Sequence, residues 1–252
     1  ATPDPLWSRG LGDVYKRHLI VLMLTLAIDS SSSSCSVAVV SDGIISSTVS
    51  AHMERGHGAA IMPMIQKAVN ESNFSLSDFT GIAVTIGPGS FTGLRIAMAA
   101  AKGLAISRDI PLIGISCFEA VAQRINQADR ALPYDLLLIV LNSKRDDPYI
   151  ECRDSQNKKV ISGGVINSDL FFVKLKKLIG RDTNIRVIGD GSEQLLKRAP
   201  TDICDNFLAV NEKDKEPLNV CDVAHCAYSK TSNSILFHPS NSSHGWKCWS
   251  AI

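Results

Sequence analysis

Residues 24–51, LTLAIDSSSSSCSVAVVSDGIISSTVSA, decide the fold class. Leu24 to Asp29 and Cys35 to Ser41 are apolar runs separated by the polar turn Ser30 to Ser34, and Asp42-Gly43 divides the second from a third run, Ile44 to Ala51. Asp-Gly between alternating apolar runs is a strong hairpin signal, because a type I′ turn needs positive φ at both central residues. The chain therefore opens with three antiparallel strands. Working outward, Ile61, Met64, Ile65 and Ala68 recur at helical spacing between Gly58 and Ser72. A strand from Gly81 to Ile86 then leads through Gly87 to Gly93 into a helix spanning Thr92 to Ile106. Pro111 to Ile115 reads as a short buried strand, and Cys117 to Asn126 as a helix. The order βββαβαβα predicts an α/β fold, a mixed sheet with helices on its faces.

A second unit starts near Leu132-Pro133. Leu136 to Leu141 is a continuous apolar strand, with Tyr149 to Arg153 and Lys158 to Ile166 as antiparallel companions and Asp169 to Ile179 as an amphipathic helix. Asn184 to Ile188, the turn Gly189-Asp190-Gly191-Ser192 and the helix Glu193 to Arg198 repeat the strand, glycine turn, helix theme on a smaller scale. Beyond Pro200 the pattern decays. The expected organisation is an added leader over 1–22 with the natural start at Met23, a first lobe over 23–130, a second over 131–228, and an unassigned tail over 229–252.

The 252 residues are 45% apolar, enough for one large core or two lobes. Twenty-six Lys plus Arg against 25 Asp plus Glu leave a formal charge of +1, far from the pI above about 9 of an electrostatic nucleic-acid footprint. Any RNA contact should therefore be weak or shared with partners. Seven cysteines without a CxxC pair make no disulfide framework and suit a reducing compartment. Cys221, His225, Cys226, His238, His244 and Cys248 supply zinc-ligating chemistry, yet their spacings match no zinc pattern, and scattered thiols and surface histidines are the alternative. Lys16-Arg17-His18 before the uncharged Leu19 to Ile28 imitates a signal peptide. No A-x-A-like site follows and Asp29 arrives at once, so the run reads as a buried strand. No apolar run reaches the roughly 18 residues of a membrane span.

Two stretches resemble one known family. Leu26-Ala27-Ile28-Asp29-Ser30-Ser31 with Cys35-Ser36-Val37-Ala38-Val39 is similar to the opening hairpin of the TsaB (YeaZ) family, and Gly87-Pro88-Gly89-Ser90-Phe91-Thr92-Gly93-Leu94-Arg95 to its most characteristic loop. Arg55-Gly56-His57 between them also fits. The resemblance covers about residues 23–127, weakens over 136–200 and stops there. It implies an actin-like ASKHA fold, related to ribonuclease H, with two lobes that are each a mixed sheet flanked by helices. It further implies a non-catalytic cytoplasmic scaffold, paired with a TsaD-type transferase and a TsaE-type ATPase, in placing threonylcarbamoyl on adenosine 37 of tRNA. RNA would be met through the complex, and a second copy of the chain is the alternative partner.

The residues bear on that expectation directly. The related catalytic subunit holds a metal with two histidines one helical turn apart, whereas here His57 is followed four positions later by Ile61, so no metal site is expected. Asp29, Ser30 and Ser31 could form a first phosphate loop or simply a capped turn. Gly87, Gly89, Ser90, Thr92, Gly93 and Arg95 precede or open a helix, which favours anions, but the run lacks the Gly-Lys-[Ser/Thr] of a P-loop and Pro88 removes a donor. In the second lobe Asn142 stands where the family usually has aspartate, Lys144 where it has arginine and Asp146 where it has glycine, with Tyr149 kept. ATP or ADP is therefore expected only weakly or at a partner interface, with no catalytic residue. The helix Ile96 to Ile106 is apolar on every side except Lys102, and such a helix must be covered on every side. Ile61, Met62, Met64, Ile65, Val69, Leu94, Ala97, Met98, Ala101 and Leu104 are accordingly expected at a helical-bundle interface with the partner, against the alternative of two interior helices. The competing function is an enzyme on the same fold, a glycoprotease-like or sugar-kinase-like protein. A protease would need a metal pair or an activated nucleophile, and a kinase both phosphate loops.

Overall fold

The computed structural model describes residues 24–128 and 133–232. Strands β1 (Leu24–Asp29), β2 (Ser34–Ser41) and β3 (Ile44–His52) form the expected meander, with Asp42 at φ 50° and Gly43 at φ 80° as a type I′ turn requires. Helix α1 (His57–Glu71), strand β4 (Gly81–Gly87), helix α2 (Phe91–Arg108), strand β5 (Leu112–Ser116) and helix α3 (Cys117–Ala128) follow. The first sheet has the order β3-β2-β1-β4-β5, antiparallel among β1 to β3 and parallel from β1 through β4 to β5. The signal-like run resolves, over its described part, into β1, buried at every position and hydrogen-bonded on both sides. Residues 19–23 lie outside the described residues, as do the leader and the tail beyond 232.

The second sheet, β8-β7-β6-β9, is a smaller copy built from β6 (Leu136–Leu141), β7 (Tyr149–Asp154), β8 (Lys159–Val165) and β9 (Ile185–Ile188). Helices α4 (Ser168–Lys176) and α5 (Ser192–Leu196) cover one face, where Phe171, Phe172, Leu175 and Leu195 pack on Leu136, Leu138, Val140, Ile185 and Val187. The other face of β6, with Leu137, Ile139 and Leu141, takes Phe118, Val121, Ala122 and Ile125 of α3. Helix α3 thus packs on both sheets, with Ala120 against the first and Phe118, Val121, Ala122 and Ile125 against the second. The architecture is the two-lobed, mixed-sheet one that the family resemblance implies.

A last helix, α6 (Val220–Ser232), was absent from the sequence expectations. Although it follows the second lobe in sequence, it packs on the first sheet. The strand period explains why it fits there. On β1, β2 and β4 the residues Leu26, Ile28, Val37, Val39, Ile82 and Val84 face α1 and α2, while the alternate positions Ala38, Ala27 and Ala83 stand in register as a row across three strands. Small residues let Val223, Ala224 and Ala227 of α6 approach closely. Arg124 of α3 then ties the segment before α6, pairing with Asp222 and donating to the carbonyls of Glu216 and Pro217.

Candidate functional site

The glycine loop and the Ser30–Ser34 turn meet each other. Ser90 caps α2, its hydroxyl accepting from the Gly93 N–H at 3.2 Å, and its own N–H donates to the Ser31 carbonyl at 2.7 Å. Gly89 lies against Ser31 and Gly93 against Ser30 so closely that a Cβ on either would run into the neighbouring carbonyl oxygen. Glycine is required here for backbone approach. At the N-terminus of α2, where an anion would sit, the Ser90 N–H is taken up by the Ser31 carbonyl and the Gly93 N–H by the Ser90 hydroxyl. The Ser30 hydroxyl is 2.6 Å from His57 Nδ1, and His57 Nε2 is 3.0 Å from the Met53 carbonyl. A carbonyl only accepts, so Nε2 carries the proton and Nδ1 accepts from Ser30. Both ring nitrogens are engaged.

Asp29 lies beneath this clamp, fully buried. Its Oδ1 accepts from the Ser31 N–H at 3.0 Å and the Thr85 hydroxyl at 2.8 Å, while Oδ2 has no hydrogen-bond partner. Burial pushes its carboxyl up from the ordinary value, and the bonds from Ser31 and Thr85 only partly offset it. The structure therefore brings together Asp29, Ser30, Ser31, Gly87, Gly89, Ser90 and Gly93, and leaves Thr92 and Arg95 outside and exposed. The second lobe repeats the closure. Gly191 donates to the Val140 carbonyl at 3.0 Å, Asn142 N–H to Asp190 Oδ1 at 2.9 Å, and Gly189, at φ +102°, abuts the Val140 carbonyl.

Cys117 and Cys152 are pushed up by burial to about 12 and Cys226 to about 11, which makes them poor nucleophiles. Cys221, one of the candidate zinc ligands, instead touches the Thr48 hydroxyl at 3.7 Å. Among the described residues no group of three metal-capable side chains converges, and His238, His244 and Cys248 lie outside them. A cleft of about 330 Å³, unforeseen in the sequence, lies between α3, β9 and the segment before α6. Its Arg124 and Arg186 are paired with Asp222 and Asp214.

The helical face differs from expectation in which residues it shows. Of the ten side chains assigned to the bundle interface, Ile61, Met64, Ile65, Val69, Leu94, Ala97, Met98 and Ala101 are buried in the chain's own first core. Leu104 is half-buried and Met62 alone is open, 47% exposed. The larger apolar side chains turn toward the sheet because burying them there removes the most apolar area from water. What remains outside is a second stripe. On α2 the exposed residues Phe91, Arg95, Ala99, Lys102, Gly103 and Ile106 recur at helical spacing, and on α1 Ala59, Met62, Pro63 and Gln66 do so. Phe91 is 64% and Ile106 57% exposed, while Ala99 and Gly103 leave a shallow saddle with nothing within 4 Å of a Cβ placed on Gly103.

Two closed mixed-sheet lobes whose phosphate-loop positions are internally bonded, joined to an open small-residue helix pair, define a member of the actin-like class. Residues 42–150 match the family model for TsaD, tRNA N6-adenosine threonylcarbamoyltransferase. The chain is 44% identical over 116 residues to the tRNA threonylcarbamoyladenosine biosynthesis protein TsaB of Escherichia coli, a match covering 44% of this chain and 48% of that one, about half its length. With TsaB of Buchnera aphidicola subsp. Schizaphis graminum the identity is 29% over 213 residues, covering 83% and 95%. YeaZ-like structures share the fold, one from Pseudomonas aeruginosa superposing with a TM-score of 0.64 at 20% identity over 88% of this chain and 97% of that one. By these matches the chain is similar to the TsaB/YeaZ family.

Proposed function

We propose that this chain is a scaffold subunit for threonylcarbamoylation of tRNA adenosine 37, docking a TsaD-type transferase on the outer stripe of α1 and α2. The observation that carries this reading is the open pair Ala99 and Gly103, one turn apart on α2, with Ile106 exposed further along the same helix and Met62 exposed on α1. Small residues at i and i+4 let a second pair of helices come near enough to close a four-helix bundle. The closed loops support a non-catalytic role, since Ser30, Ser31, Gly89 and Gly93 leave no cradle for a phosphate and His57 is engaged on both sides. In this reading any ATP or ADP, and a TsaE-type ATPase, are met at the shared interface, and tRNA through the complex. A cytoplasmic setting agrees with the free thiols Cys35, Cys117, Cys152, Cys204, Cys221 and Cys226. Among the described residues no helix is long and apolar enough to cross a membrane.

The test is co-expression with the TsaD-type and TsaE-type subunits of the same organism in cells lacking their own TsaB. Modified adenosine in tRNA should appear with the unaltered chain and vanish with Ala99→Trp, which fills the saddle without touching the core. Modification that persists without this chain, or with a folded Ala99→Trp variant that still binds its partner, would refute the scaffold reading.

A further inference from the structure

Loop 142–148, between β6 and β7, stands at the carboxyl ends of the parallel strands β6 and β9, the edge at which open α/β sheets take their ligands. Surface loops are as a rule the mobile parts of a fold, but this one is fixed along its length. Asn142 N–H donates to Asp190 Oδ1 at 2.9 Å, the Ser143 hydroxyl to the Asp147 carbonyl at 2.6 Å, and the Gln194 amide of α5 to the carbonyls of Arg145 and Asp146 at 2.9 and 2.8 Å. The Lys144 N–H meets Asn142 Oδ1 at 2.7 Å, with Lys144 held at φ 58°, a conformation uncommon for a residue with a side chain. What this framework presents is charge. Lys144 and Arg145 are exposed and form no ion pair among the described residues. Lys197, one helical turn beyond Gln194 and so on the same side of α5, is exposed as well. The nearby acids are engaged: Asp147 with Ser168 and Arg198, Asp190 with Asn142, and Glu193 with Lys215 and, at longer range, Lys197. That leaves, among the described residues of this wall, Asp146 against three cations.

We propose that Lys144, Arg145 and Lys197 form a contact for the phosphodiester backbone of RNA, the place where this chain itself touches the tRNA. The inference rests on the scaffold reading. The surroundings of the three cations separate RNA from a protein partner. No large apolar side chain is exposed over 142–148 or 189–198, whereas a protein contact has an apolar centre depleted in charge. Cations fixed on a polar wall suit a phosphate backbone, which is met through charge and needs no apolar surface. Three such contacts are a local share of binding, in keeping with a chain whose formal charge is only +1.

The experiment uses the chain in complex with the TsaD-type subunit of the same organism, and a fluorescently labelled, unmodified tRNA transcript from it, titrated by anisotropy over a range of KCl concentrations. Lys144→Gln/Arg145→Gln removes two phosphate contacts, so the slope of log K against log [KCl] should become shallower by about 2. Lines that meet near about 1 M salt then differ roughly 100-fold at about 0.1 M. Adding Lys197→Gln should take off about 1 more. Lys174→Gln/Lys177→Gln changes the charge equally at exposed residues of α4, outside this wall, and should leave the slope as it was. An unchanged slope for Lys144→Gln/Arg145→Gln, in a complex that still assembles and binds tRNA, overturns the contact and leaves the scaffold reading standing. A slope lowered as much by the α4 pair would show an effect of bulk charge, and loss of the TsaD-type subunit in place of tRNA would show a protein contact; either result overturns the proposal. ATP titrated in place of the transcript should bind the altered and unaltered complexes alike, and a difference would assign the wall to a mononucleotide, again against the proposal. An unaltered chain that never joins the TsaD-type subunit overturns both readings.

Discussion

One substitution, made twice on the same helix, should have opposite effects. Gly93→Ala and Gly103→Ala each add a methyl group to α2, and on helix propensity alone each should stabilise by about 1 kcal/mol. At Gly103 nothing stands within 4 Å of the new Cβ, so the propensity gain is kept. At Gly93 the new Cβ enters the Ser30 carbonyl oxygen, which belongs to backbone and cannot swing away. Either the turn or the helix start must retreat, and with it go the Ser90 N–H to Ser31 carbonyl bond and the Ser30 to His57 bond. Losing two hydrogen bonds and leaving buried partners unsatisfied costs about 3 to 5 kcal/mol, outweighing the propensity term. For a chain of this size each kcal/mol moves the melting temperature by about 2 to 4 °C. Gly93→Ala should therefore melt on the order of 10 °C lower, and Gly103→Ala about 2 to 4 °C higher, in scanning calorimetry or urea titration. If Gly93→Ala were neutral or stabilising, the two loops would not be clamped, and the argument that they leave no phosphate cradle would fail.

Asp29 should give the protein a pH dependence of the unusual sign for a carboxylate. Burial raises its folded pKa above the ordinary 3.8, so the folded state holds the proton more tightly, and the stability this contributes is complete below 3.8 and lost as pH climbs through the raised value. Urea midpoints of the unaltered chain measured against Asp29→Asn should fall steadily as pH rises from that point, and a difference that grew with pH would refute the assignment. Arg124→Ala should cost about 2 kcal/mol or more by stranding Asp222 and two carbonyls, with faster amide exchange at the start of α6. Exchange unchanged in α6 would show that the alanine row alone holds that helix.

How far the sequence could be read depended on whether its signals were local. Asp42-Gly43 dictates its own geometry, since a type I′ turn has two positive φ values, and β1, β2 and β4 follow from runs too apolar to lie outside. Helix α6 escaped because the loops before it interrupt the pattern, yet its marks are present. Asn219 and Asp222 exchange bonds across its first turn, with Asp222 N–H on the Asn219 carbonyl and Asn219 N–H on Asp222 Oδ2, and Val220, Val223, Ala224 and Ala227 follow at helical spacing. What no local pattern could tell is that this helix belongs to the first sheet, because the reason lies in Ala27, Ala38 and Ala83, distant in sequence and adjacent only after the strands pair.

The same limit governs the proposed docking face. A helix apolar on every side announces that it needs two covers, but periodicity alone does not say which stripe meets which. Side-chain size decides it. Ile61, Ile65, Leu94 and Met98 have enough area to repay burial on the chain's own sheet, and a helix that turned Ala99 and Gly103 inward instead would leave voids there, each costing stability. The small residues are left to face outward, where their want of bulk becomes useful only to a second backbone. The stripe that contributes least to this chain's own fold is thus the one on which the proposed partner would dock.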